Sequence, residues 1–240
     1  NRNHVQMPNG FGLAGDASST QAAVIAPLPG SATIYYIFTV DQEGGALGFR
    51  YSIVDLSLAG GLGDLAVKNS LLLTPVAEKV TAVKHNNNFD IWIITHEWDS
   101  DGFYAYLLNA AGISATPVVS NVGLVHTGGS LAANGNSAGY MKASPIGNKI
   151  ALAIKEMNLY QIFDFNTSNG VVSNPITTPA SYTNAYGVEF SNDGTKLYGS
   201  KYGFGGPQIF QFDLEAATPA AIVSSAGLVG SSSSLFGGAL

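Results

Sequence analysis

The densest polar stretch of the chain, "HEWDSDG" at positions 96 to 102, sets two acidic side chains in alternation. The first two ligands of a calcium loop stand that way, which makes Asp99 and Asp101 the candidate metal ligands, with calcium the candidate ion. The third acidic position and the distal Glu of such a loop are missing, and His96-Glu97 lacks the second His of a zinc-binding H-E-x-x-H helix. A solvated loop is the default. His85, His96 and His126 lie in separate segments, and only the fold decides whether they meet. Convergence of three among His85, His96, His126, Glu97, Asp99, Asp101 and Glu189 would make a hydrolytic centre, built on a metal or on imidazole and carboxylate groups. No paired spacing supports that, so each is expected to be satisfied locally, and no catalytic residue or organic cofactor is assigned.

Two further motifs carry chemistry only in a particular context. "GNSAG" at 135 to 139 satisfies G-x-S-x-G and would make Ser137 an acyl-transfer nucleophile, but that elbow needs a strand before it and a helix after it. The next ten residues, "YMKASPIGNK", read as a strand and a hairpin. "GFGLAG" at 10 to 15 satisfies G-x-G-x-x-G, with Asp41 imitating a ribose-binding acid, yet the preceding stretch is polar and Pro27 and Pro29 cut short any helix after it. Both are expected to be loops. "NTS" at 166 to 168 matches a glycosylation sequon, a common signal.

The aromatic runs "IYY", "DIWII", "FYAY" and "QIFQF" have strand spacing and belong to the core. Trp98, Tyr182, Tyr186 and Tyr202 lie in or beside loops, and are the candidates to stack on a sugar ring or a partner.

The elements that must position these residues are written in a repeat. "SPIGNKIALA" (144 to 153) and "SNDGTKLYGS" (191 to 200) are 47 positions apart, and the same offset pairs "QIFDF" (161 to 165) with "QIFQF" (208 to 212). Seven positions match without a gap: Ser144, Gly147, Lys149, Gln161, Ile162, Phe163 and Phe165 with Ser191, Gly194, Lys196, Gln208, Ile209, Phe210 and Phe212. Each copy reads strand, polar turn, strand, loop, strand, turn, strand, with Asp193-Gly194 supplying positive φ angles for a tight hairpin and "AAIVSS" as the last strand. Four strands per period of about 40 to 50 residues is the pattern of a β-propeller blade. Earlier segments fit the template more loosely. The fold is therefore read as all-β, a propeller with WD40-like or lactonase-like four-stranded blades at about 22–72, 80–122, 138–178 and 185–225, residues 226–240 entering a next blade of a larger ring.

Composition agrees. The chain has 240 residues, 46% hydrophobic and only 11% charged, with 29 Gly, 12 Phe and 11 Tyr, a mixture that favours strands and turns over helices. A net charge of −6 with 10 unclustered Lys and Arg offers no footprint for nucleic acid. No run reaches the roughly 18 apolar residues of a transmembrane helix, and the amino terminus has no signal-peptide pattern, so an exported form would already have lost its signal. Absence of cysteine excludes disulfides and thiolate chemistry.

"NRNHVQMPNGFGLAGDASSTQAAVIAPLPGSATIYYIFTVD", "TAVKHNNNFDIWIITHEW", "YMKASPIGNKIALAI" and "AYGVEFSNDGTKLYGS" closely resemble the amino-terminal propeller region of large Bacteroidetes surface proteins. Those proteins usually end in a gliding-motility-associated, type IX secretion sorting domain. The resemblance covers nearly the whole chain and implies export across the outer membrane, the type IX secretion machinery as a partner, and a place on the cell surface. It implies no characterised chemistry. The expected function is a non-enzymatic binding or scaffold module that presents inter-blade loops to a glycan or another surface protein. The rivals are a lactonase-like propeller hydrolase with a central-channel site, and a passive spacer.

Overall fold

A computed structural model of the chain describes residues 1–129, 134–203 and 206–233. Its strands form four antiparallel sheets, each a meander in sequence order. The first holds β1 (Ala23–Pro27), β2 (Ile34–Val40), β3 (Phe49–Asp55) and β4 (Asp64–Leu73). The second holds β5 (Val76–Lys84), β6 (Ile91–Glu97), β7 (Ser100–Asn109), the two-residue β8 (Gly112–Ile113) and β9 (Val118–His126), with β8 and β9 sharing the outer edge of β7. The third holds β10 (Met141–Ala143), β11 (Lys149–Ile154), β12 (Leu159–Asn166) and β13 (Val171–Thr177). The fourth holds β14 (Ala185–Phe190), β15 (Lys196–Lys201), β16 (Gln208–Asp213) and β17 (Gly227–Ser231). Neighbouring first strands β1, β5, β10 and β14 touch in succession, and the sheets fan out around them as propeller blades.

Each blade buries its faces on its neighbours, and three clusters do this work. Phe38, Phe49, Val76 and Tyr106 join the first and second blades, Trp92, Phe103, Ile150 and Phe163 the second and third, and Tyr160, Tyr182, Leu197 and Phe212 the third and fourth. Each such side chain contributes about 1.5–3 kcal/mol on full burial. One aromatic per interface also spends its polar tip on the neighbouring blade. Tyr106 Oη donates to the Leu72 carbonyl at 3.2 Å, Trp92 Nε1 to Thr167 at 2.8 Å, and Tyr160 Oη to Ser200 at 2.7 Å.

The repeated residues make one turn twice. Ser144 and Ser191 accept the amides of Lys149 and Lys196 on their hydroxyls, at 3.1 and 2.9 Å. Gly147 and Gly194 take φ of +77° and +72°, where a side chain is strained. Both lysines reach across the next strand to an aspartate, Lys149 to Asp164 at 2.9 Å and Lys196 to Asp213 at 2.8 Å. Asp193 differs from the expected hairpin, since only Gly194 of the pair has positive φ. Its carboxylate instead ties the turn, accepting from Ser191 Oγ and from Thr195 N and Oγ1 at 2.6 to 3.0 Å.

Two other expectations are corrected. "AAIVSS" belongs to a short helix, α1 (Pro219–Ser224), in which Thr218 caps Ala221 N at 3.1 Å and Pro219 opens the first turn. A capping Thr before a Pro overrides the strand preference of Ile222 and Val223. The fourth strand is β17 instead, so 227–231 close the fourth blade rather than entering another; residues 234–240 lie outside the described set. Among the described residues no helix is long and apolar enough to cross a membrane.

Candidate functional site

All four inner strands begin at one face, here called the front. Thr20 precedes β1, Glu78 and Lys79 lie near the start of β5, Ser137 precedes β10, and Tyr186 stands at the start of β14. These residues meet. The Glu78 carboxylate, 4% exposed, accepts from Thr20 N and Oγ1 at 2.7 Å each, from Glu43 N at 3.1 Å and from Ser137 Oγ at 3.3 Å. Tyr186 is hydrogen-bonded to Thr20. Lys79 Nζ donates to the Ser137 and Ala138 carbonyls at 2.7 and 3.2 Å. Burial pushes that ammonium down to about 7, with Glu78 opposing. Beside it the Gln21 amide acts as a piece of strand, accepting from Met141 N at 2.7 Å and Val80 N at 3.4 Å and donating to Met141 O at 3.0 Å. The cluster is a polar hub linking the blades, each buried charge matched by hydrogen bonds.

Ser137 is thus placed differently from a nucleophile. "GNS" forms a 3₁₀ turn, Gly135–Ser137, and the hydroxyl is fully buried with its hydrogen bond on a carboxylate. "GFGLAG" is irregular backbone lying over the first blade, where Ala14 N donates to Asn69 Oδ1 at 2.8 Å and the Lys68 ammonium sits 4.7 Å from the Phe11 ring centre.

The histidines divide. His96 and His126 are fully buried and stacked, with ring centres 3.7 Å apart and planes at 10°, and the Phe103 edge meets His96 at 4.6 Å. Pairing of β7 with both β6 and β9 brings them together across 30 residues of sequence, 126 − 96. His96 Nδ1 donates to the Glu97 carbonyl at 2.8 Å, while His96 Nε2 and both nitrogens of His126 have no partner among the described residues. Burial holds both rings neutral. It lowers His96 to about 3, helped by Lys79 and opposed by the Glu97 carbonyl and Asp101. His126 is pushed well below the usual imidazole range by burial, then by His96 and Lys79. His85 is at the opposite end of the blade, stacked on Trp92 at 5.7 Å. Glu189 is paired with Lys142 at 2.7 Å.

Asp99 takes φ +60° in the two-residue turn between β6 and β7, and its amide donates to the His126 carbonyl at 2.9 Å. Asp101 Oδ1 accepts from Asn121 Nδ2 at 2.9 Å. Among the described residues no group of three or more His, Asp or Glu side chains is placed to hold a metal ion.

Two of the four predicted stacking aromatics are interior. Trp98 is 9% exposed, its indole covered by the backbone at Gly44, where even a Cβ would collide with the ring. Tyr182 is 6% exposed and packs edge-on to Phe210 at 5.0 Å in the core between the third and fourth blades. Sitting in a loop does not expose a ring when the neighbouring blade's loop folds over it.

Tyr186 and Tyr202 behave otherwise. They are half-buried at the front face, 4.9 Å apart with planes at 33°. Tyr140 meets Tyr186 at 5.8 Å, and the Lys155 ammonium stands 5.0 Å from the centre of Tyr202. Tyr202 borders a groove of about 280 Å³ that Thr183, Asn184, Lys201 and Gln208 also line. Tyr202 N donates to the Asn184 carbonyl at 2.9 Å, fixing one wall to the other. Tyr140, Lys155, Asn184 and Lys201 went unflagged in the sequence. The readable signal was that residues opening an inner strand, such as Tyr140 and Tyr186, must face the channel mouth.

No family model matches the chain, and no curated protein does. Solved structures that it resembles include a Lactobacillus plantarum protein (18% identity, TM-score 0.48, covering 82% of this chain and 53% of that one). A second is a putative 6-phosphogluconolactonase from Bacteroides uniformis (12%, TM-score 0.45, 88% and 71%). A third is a β-propeller domain from Myceliophteria thermophila (9%, TM-score 0.47, 90% and 61%). The chain therefore spans about half to seven-tenths of the length of these structures. At such identities the likeness concerns the fold alone, and the four blades describe an all-β propeller.

Proposed function

We propose that the chain is a non-enzymatic binding module of a secreted, surface-attached bacterial protein, which holds a glycan or a partner protein at its front face. The observation that carries the reading is the array of Tyr140, Tyr186 and Tyr202, half-buried side by side at the front face, with Tyr202 on the rim of a polar groove. Flat aromatic faces beside amide and hydroxyl groups suit sugar rings and polar protein surfaces. Rigidity supports it too, since the first and third blades supply the groups bound to Glu78 of the second, so the loops above are set on a fixed base. Export, the type IX machinery as a partner and a place on the outer surface are carried by the sequence resemblance and form part of the proposal.

The test is a glycan array with the wild-type chain and Tyr202→Ala, paired with pull-down from cell-surface extract. Binding to a defined ligand that Tyr202→Ala abolishes supports the module. An esterase or lactonase activity of the wild-type chain that persists in Tyr202→Ala would overturn it in favour of the hydrolase.

A further inference from the structure

We infer that the groove beside Tyr202 takes a pyranose ring bearing an anionic substituent, a carboxylate or a sulfate ester, in preference to a neutral sugar. The inference rests on the binding-module reading and narrows it to one ligand class.

The groove's size comes first. About 280 Å³ lies at the lower limit of small-molecule sites. It accommodates one ring of a saccharide and leaves the rest of a chain outside.

Its lining comes second. Thr183, Asn184 and Gln208 offer a hydroxyl and two amides, which donate and accept in the alternation that neighbouring ring hydroxyls require. Tyr202 adds the aromatic edge of the wall. An apolar ligand would leave these groups unsatisfied.

Charge decides the class. The chain carries −6 overall, and Lys142, Lys149 and Lys196 are engaged in ion pairs with carboxylates. Lys201 instead donates to a neutral amide oxygen, that of Gln208 at 3.1 Å, inside the groove. Lys155 reaches over Tyr202 from the β11–β12 turn. No carboxylate lines the groove among the described residues, and that of Glu156, next to Lys155, is turned toward the backbone at Gly129 and Gly135. On an acidic protein, the Lys201 ammonium thus belongs to the groove and the Lys155 ammonium stands over the Tyr202 ring that borders it. An anionic group placed there gains charge-assisted hydrogen bonds from Lys201, stronger than those its neutral analogue can make.

The experiment is a ¹H–¹⁵N NMR titration of the whole chain with galacturonate, galactose 6-sulfate and galactose, at about 50 mM and about 300 mM salt. The expected result is binding of one or both acidic sugars about five- to tenfold tighter than galactose at low salt, the gap between a charged and a neutral hydrogen bond. The advantage shrinks at high salt, and which acid gains it separates carboxylate from sulfate. Lys201→Gln and Lys155→Gln bring the ratio of acidic-sugar to galactose affinity toward one; both side chains are partly exposed, and an unchanged thermal midpoint verifies the fold. Equal affinity for acidic and neutral sugars overturns the charge inference. If that shared binding is lost in Tyr202→Ala, the module reading survives it. Absence of shifts at Asn184, Lys201 and Tyr202 with every sugar overturns the ligand class altogether, while a protein partner captured through Tyr202 would keep the module reading standing.

Discussion

Acid should unfold this protein through two imidazoles. His96 and His126 are neutral and fully buried in the fold, whereas in the unfolded chain each titrates near 6.5. A folded pKa depressed below the unfolded one gives stability that is complete above 6.5 and is lost as the pH falls toward the folded value, about 3 for His96. Between those limits the unfolded state binds the extra protons. Two units below 6.5, at pH 4.5, a histidine that stays neutral in the fold has cost between about 2 and 3 kcal/mol, at roughly 1.4 kcal/mol per unit. Together they remove about 5 kcal/mol, a large part of the 5–15 kcal/mol typical of a domain. The groups around the stack do not cancel this. Lys79 disfavours the imidazolium and Asp101 favours it, and burial outweighs both. The assay is urea denaturation at intervals from pH 7.5 to 4.5, in wild type and in His126→Phe, which keeps an aromatic ring against His96. Wild-type stability should fall with a slope approaching two protons, and the variant with a slope near one. A flat profile across this window, or equal slopes in the two proteins, would refute the reasoning.

The same physics makes two further predictions. Glu78→Gln should cost about 3 kcal/mol in urea denaturation, because Oε1 and Oε2 each accept a backbone N–H, so either orientation of the amide turns its NH₂ against a donor; a loss under about 1 kcal/mol would mean the hub rearranges freely. Of the two repeat glycines, Gly194→Ala should cost about 1–2 kcal/mol for its left-handed backbone alone, its new Cβ lying 3.8 Å from Pro145 Cδ. Gly147→Ala should cost more, since its Cβ falls 2.7 Å from Val83 Cγ1 in the neighbouring blade, and equal thermal shifts would contradict that order.

What the sequence disclosed and what it hid divide by range. The Ser, Gly and Lys of "SPIGNK" and "SNDGTK" are legible because their work is local: hydroxyl to amide five residues on, a positive φ, a lysine on the next strand. Blade architecture comes from that repetition. Helix α1 is also a local matter, since Thr218-Pro219 is a helix start that the apolar run after it obscures. The rest depended on contacts between blades. Nothing near Trp98 in sequence reveals that Gly44 closes over it, and nothing near His96 reveals His126. Tyr186 and Tyr202 were singled out, but their neighbours Lys155 and Asn184 acquire meaning only when the third and fourth blades stand side by side.

The Gln21 amide has a consequence in time. Its bonds to Met141 span 120 residues of chain, and that from Gly139 N to Thr20 Oγ1 spans 119. Contacts of such separation form late, after the loops that separate them have closed. Bonds absent from the folding transition state slow unfolding without hastening folding. Gln21 and Thr20 are therefore expected to act as a latch, so that Gln21→Ala should raise the unfolding rate more than it lowers the folding rate.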